Sequence, residues 1–217
     1  GNIRHLIPTV SFLAAGLSSL SIPFSSVLDL DGMQNLKELE VFNVCGYDSQ
    51  IQSIKPLIEL PLKCLNLGGK SQVRDLEYIQ QLPLLEKLDL SEVFYEEGIK
   101  YPPLNILSSL KYLTHLNLSI CIMINDLSPV FKITHLKSLI LTGMLNNIDD
   151  IKNLKNIEYL ALGMLCSDQD FSDLATLYKL KSVQINPLDD KQWQRLKSSL
   201  PSYVEITEGV NFPGWNW

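Results

Sequence analysis

Few residues in this chain have the types and spacing that chemistry needs. Gly68–Ser71 reads GGKS directly after an apolar run, as the end of a phosphate-binding loop would. That loop requires glycine five residues before Gly69 and a helix after Ser71, so that backbone N–H groups can cradle phosphate. Cys64 stands at the glycine position, and a turn between structural units is expected instead. His115 and Cys121 are a base and a nucleophile six residues apart. Within one short unit that spacing sends the two side chains to different parts of the turn, so no activated thiolate is expected. G-x-S-x-G, H-E-x-x-H and paired-carboxylate patterns do not stand out. The expectation is a non-enzyme with no metal and no cofactor.

Four cysteines, Cys45, Cys64, Cys121 and Cys166, lie in separate segments without C-x-x-C spacing. This excludes a zinc ribbon or a thioredoxin-type motif. They read as free thiols of a reducing compartment, bacterial or, after secretion, host cytosol. Net charge is −6 and the chain is only 19% charged against 46% hydrophobic. That balance argues for a folded core and against nucleic acid, which needs clustered Lys and Arg. No apolar run reaches the ~18–20 residues of a membrane span. Residues Ile3 to Leu20, with Arg4 leading, loosely follow a signal peptide. Ser, Thr and Pro interrupt them, and they merge into a strand pattern. A sequence opening on Gly1 leaves room for an upstream targeting segment.

The elements that must position any functional residue come from a repeat. In Ile148–Leu162, apolar residues fall at Ile148, Ile151, Leu154, Ile157 and Leu160, and then at Leu162. Steps of three suit successive 3₁₀-like turns, and a closing step of two suits a short strand. A unit this small cannot bury its apolar side without flanking copies. The copies follow L-x-x-L-x-L: LSSLSI from Leu17, LKELEV from Leu36, LKCLNL from Leu62, LEKLDL from Leu85, LTHLNL from Leu113, LKSLIL from Leu136, IEYLAL from Ile157 and LKSVQI from Leu180, with a degenerate YVEI at Val204 and Ile206. On this reading the middle apolar residues, from Leu20 and Leu39 to Val204, are 19 to 28 residues apart. Two steps are overlong, one holding Cys45–Gln50 and one holding Val93–Asn105. Asp75, Asp126, Asp150 and Asp173 each precede an apolar residue of a turn and are expected to cap the N–H groups that follow.

MINDLSPVFKITHLKSLIL, with its motif from Ile124 to Leu141, resembles the leucine-rich repeats of the short bacterial internalin-like or SDS22-like class, and DDKQWQRLKSSLPSYVEI resembles a closing unit of such arrays. The resemblance implies an α/β repeat fold: a solenoid of eight to nine repeats, with a curved parallel β-sheet on the concave face and 3₁₀ or short helical turns on the convex face. The expected organisation is an N-terminal capping segment at 1–16, repeats at 17–207 and a C-terminal capping tail at 208–217. Phe212, Trp215, Trp217 and Trp193 are expected to shield the open core there. The family's ninth-position Asn or Cys ladder is largely missing. Counting from each first apolar residue reaches Val44, Lys70, Val93, Cys121, Met144, Leu165 and Leu188, of which only Cys121 fits.

Function then rests on positions that the repeat leaves variable. Phe42, Ile140 and Tyr159 are expected as concave-face anchors for a protein partner, with His115 and Asp89 as polar partners. Phe94, Tyr95 and Tyr101 are expected to contribute from the second overlong unit, since insertions in a solenoid emerge as loops. The expected role is that of a monomeric, non-catalytic protein-binding module, a secreted bacterial effector or surface protein. The alternative is the substrate-recognition part of a larger enzyme, ubiquitin ligase-like, whose catalytic part lies outside this chain. One consequence is directly measurable. All four thiols should react with a labelling reagent in denatured, unreduced protein, and two unreactive ones would overturn the reducing-compartment reading.

Overall fold

Consecutive apolar residues of each turn segment are tied together through the backbone. Ile151 N–H donates to Ile148 O at 2.9 Å, Leu154 to Ile151 at 3.0 Å and Ile157 to Leu154 at 3.0 Å. The same relay runs through Leu30, Met33, Leu36 and Leu39, and through Ile79, Leu82 and Leu85. Each residue that buries its side chain thus also satisfies the backbone of the one before it, which is what a three-residue rhythm can do and a 3.6-residue rhythm cannot. In a computed structural model that describes residues 16–22, 27, 29–46, 50–69, 72–94, 102–142, 148–163, 170–185 and 189–208, these relays become short 3₁₀ helices. They include Met33–Asn35, Leu76–Gln81, Leu104–Ser109, Asp149–Asn153 and Ser172–Thr176. One unit uses a short α-helix instead, α1 at Ser128–Phe131.

Every relay feeds a strand. These are β1 Ser19–Ser21, β2 Val41–Asn43, β3 Cys64–Asn66, β4 Lys87–Asp89, β5 His115–Asn117, β6 Ser138–Leu141, β7 Tyr159–Leu162, β8 Ser182–Ile185 and β9 Glu205–Glu208. They form a single parallel sheet in sequence order. At the entry to each of β2 to β8 one carbonyl accepts two N–H groups from the next unit, as Glu86 O does from Thr114 and His115 at 2.8 and 3.0 Å. The core runs between sheet and turns as one continuous apolar cluster. A second helix, α2 at Asp190–Ser199, opens on a reciprocal capping box between Asp189 and Gln192. As expected, Trp193 packs on the end of the core from this helix. The two capping segments fall outside the described residues except Gly16 and Glu208.

The register corrects two strands. The residues that align in the core are Leu20, Phe42, Leu65, Leu88, Leu116, Leu139, Leu160, Val183 and Ile206, spaced by 22, 23, 23, 28, 23, 21, 23 and 23. Leu39 and Val204 are buried but belong to the turns before their strands. In β2, Phe42 takes the place that leucine holds in β1 and β3 to β7 and is 0% exposed. It is therefore a core residue and not a concave-face anchor. A phenyl ring hid the match, while the three-residue relay offered the decoy L-x-x-L-x-V three residues early. Only the step from β4 to β5 is overlong.

The asparagine ladder is also relocated. Asn43, Asn66, Asp89 and Asn117 each end a strand, and each side chain accepts the N–H two residues on, from Cys45, Gly68, Ser91 and Ser119 at 3.2, 2.9, 2.8 and 2.9 Å. At the family's usual ladder position Cys121 Sγ donates to Leu90 O at 3.1 Å. Of the four turn aspartates, Asp126 caps Ser128 N–H as expected. Asp75 instead reaches back one unit, accepting from Ser53 Oγ and Ile54 N–H at 2.6 and 2.9 Å. Phe42→Ala should cost about 3–5 kcal/mol in urea unfolding and Val41→Ala much less. The reverse ranking would restore the earlier register.

Candidate functional site

Alternation along the strands sends two residues of each strand to the open face of the sheet. The first row includes Cys64, Lys87, His115, Ser138, Tyr159 and Ser182, and the second Asn66, Asp89, Asn117, Ile140, Ala161 and Gln184. The two rows differ in access. Apart from Ser138, these first-row residues are partly exposed, whereas the second row is closed except at Asn117, with Ala161 at 0% and Ile140 at 4%. Ile140 and Asp89 thus belong to a floor and offer little area to a partner, which corrects their expected part as contact residues. Tyr159 and His115 rise from it. Phe94 is 2% exposed and belongs to the core, a second correction: the chain entering the overlong unit tucks this ring inward. Tyr95 and Tyr101 lie outside the described residues.

The floor is a hydrogen-bonded strip in β4 and β5. Asp89 Oδ2 accepts from Asn117 Nδ2 at 2.9 Å, and Asn117 Oδ1 accepts from Ser119 Oγ at 2.6 Å. Burial pushes the Asp89 carboxyl above the usual range, against the lowering effect of its bonds to Ser91 and Asn117. His115 Nδ1 lies 2.8 Å from Thr114 Oγ1. Its imidazole is held below the ordinary histidine range by burial first, and then by Lys87 and Lys137. Lys181 Nζ lies 5.8 Å from the centroid of the Tyr159 ring and also pairs with Glu158 at 2.5 Å.

One line of charges was not anticipated. The residue before each strand position gives Glu40, Lys63, Glu86, Thr114, Lys137, Glu158 and Lys181 in successive units. Lys63 pairs with Glu40 at 2.8 Å across two units. Alternating signs at the repeat period were the available signal. Such exposed pairs contribute little stability; they set the charge pattern along one lip of the sheet.

The catalytic arrangements do not form. Burial raises the Cys121 thiol to about 12, and its proton is given to Leu90 O, so it is no nucleophile. The glycines of GGKS answer to packing. A Cβ on Gly68 would sit 2.4 Å from Ser91 Oγ, and one on Gly69, at φ +94°, 2.8 Å from the Gly46 backbone. Among the described residues no group of three or more His, Cys, Asp or Glu could hold a metal ion, and no helix is long and apolar enough to cross a membrane.

No family model and no curated protein matches this sequence. Solved structures do. Internalin C2 from Listeria monocytogenes superposes with a TM-score of 0.68 at 24% identity, over 92% of this chain and 84% of that one. The fold is a leucine-rich-repeat solenoid. A leucine-rich-repeat protein of Leptospira interrogans gives 0.60 at 21% identity. The functional domain of InlJ from Listeria monocytogenes, described as including a cysteine ladder, gives 0.54 at 18%. This chain spans 56% and 45% of those two. The open face is accordingly the concave face of the solenoid.

A pH test isolates Asp89. Its folded-state pKa is raised, so between the ordinary and the raised value the folded state binds more protons than the unfolded state. The stability linked to Asp89 therefore rises as pH falls through that window. Asp89→Asn also loses the bond from Asn117, a pH-independent offset. Relative to this variant, wild type should gain stability in urea unfolding as pH falls from neutral toward the ordinary carboxylate value of 3.8. A constant difference would show that Asp89 titrates normally.

Proposed function

We propose that this chain is a non-catalytic protein-binding scaffold that holds a partner on its concave face across β4 to β8. The observation carrying this reading is the contrast between the two outward rows. Tyr159 and His115, with Lys87 beside His115, are accessible above a closed and hydrogen-bonded floor. A floor that is already packed and satisfied does not have to be ordered on binding, so contacts by the accessible row lose less to reorganisation. Nine strands about 4.8 Å apart give a face roughly 40 Å long, enough for a standard patch of about 800 Å² per partner.

A bacterial origin is supported by the internalin and Leptospira structures, and action as a secreted effector in a reducing compartment by the free thiols of Cys45, Cys64 and Cys121. A second reading, the recognition part of a larger enzyme, draws on the greater length of two of the structural matches. The length of the native reading frame separates the two.

With the partner captured by affinity purification, Tyr159→Ala and His115→Ala should each weaken its binding about tenfold or more, roughly 1.4 kcal/mol or above, at unchanged Tm. Binding that survives both substitutions would sink the concave-face assignment.

A further inference from the structure

We propose that the turn Ile120–Ile124 and the cavity beside it form a second binding site, separate from the concave face, which takes one medium-sized aliphatic side chain of a partner polypeptide carrying lysine or arginine next to it. The site sits where the overlong step departs from the regular unit. Phe94 and Pro102, which flank the extra residues, line a cavity of about 160 Å³ together with Leu104, Met123, Ile124 and Pro129. Met123 N–H donates to Phe94 O at 3.0 Å and fixes two of these walls relative to each other. The volume suits one side chain and falls well short of the about 300 Å³ or more of small-molecule sites.

Two neighbours of the cavity are unfavourable for the fold by itself. Ile120 has φ 55°, a left-handed conformation that is an outlier for a β-branched residue. The corresponding positions of β2 to β4, four past the core residue, hold Gly46, Gly69 and Glu92, all at positive φ, so the conformation belongs to the repeat turn and the β-branched side chain is what makes it costly at Ile120. Ile120 is nonetheless 41% exposed, and Ile122 is 45% exposed. Between them Cys121 does the structural work, buried and bonded to Leu90 O. Two exposed isoleucines at one turn form an apolar patch, and exposed apolar groups with a polar rim mark interaction surfaces. The rim supplies the charge preference. Asp126 lines the cavity, and bonds from Ser128, with Lys132 nearby, hold its carboxyl below the usual range and so ionised. Among the described residues no basic side chain lines the cavity, so a cation beside the inserted side chain is favoured and an anion opposed.

The test uses the full chain with labelled Ile and Met methyl groups, titrated with capped Gly-Lys-Leu-Lys-Gly and its variants. The leucine peptide should move the Ile122, Met123 and Ile124 methyl signals. Alanine in its place should bind roughly fiftyfold more weakly, given three fewer carbons to bury. Glutamate flanks should weaken binding at low salt. Asn125→Trp, at the exposed rim, should block the site. Ile120→Gly should raise Tm while lowering affinity, whereas a purely structural isoleucine would lower both. Equal binding of leucine and alanine peptides overturns the proposal. So do cavity methyl contacts to the chain's own residues 95–101, or methyl shifts that follow self-association without peptide.

Discussion

The structure depends on one coupling: the apolar residue at every third position donates its N–H to the carbonyl of the apolar residue before it. Burial and backbone satisfaction are then a single event. A chain that buries leucines without closing these turns leaves N–H groups dry and unpaired, and a chain that closes the turns without leucines has nothing to hold them against the sheet. Each relay delivers its strand at a fixed height, and from β2 to β8 the doubly accepting carbonyl at the strand entry locks that height to the previous unit. No single unit is stable under these terms, and stability accrues by neighbours.

Much of this was legible in the sequence, because leucine spacing reports the relay directly. Eight of the strands were placed on the correct segment and seven in the correct register, all of them carrying leucine, isoleucine or valine in the core column. Phe42 defeated the pattern because a turn relay of period three contains many L-x-x-L pairs, and only the cross-strand partners Leu20 and Leu65 select one. The outward residues were harder. Alternation says that Ile140 and Tyr159 point to the same side, but whether a side chain is reachable depends on what stands around it. That three-dimensional fact has no local signature, and it separates the closed second row from the open first one. Asp89 shows the same limit: its residue type suggests a solvated contact, and its bonds to Ser91 and Asn117 make it part of the floor.

The polar ladder on the open face and the thiol of Cys121 solve a common problem from opposite ends of each turn. After a strand the chain must change direction, which strips N–H and C=O groups from the ladder. Asn43, Asn66, Asp89 and Asn117 supply acceptors on one side, and Cys121 a donor on the other. The shortage of asparagine at the usual position is therefore compensated two rows away, and polar residues that looked available for binding are committed to the turn.

The step of 28 residues between β4 and β5 pairs Lys87 with His115 and Asp89 with Asn117 in the same register as the step of 21 between β6 and β7. The sheet counts rungs and is indifferent to how much chain separates them. In evolutionary terms this uncouples innovation from foldability: a gene can lengthen one connection, and even place a strained isoleucine beside it, while every hydrogen bond across the sheet stays as it was. Novelty in such an array is expected to accumulate at connections, and the sheet itself to record ancestry.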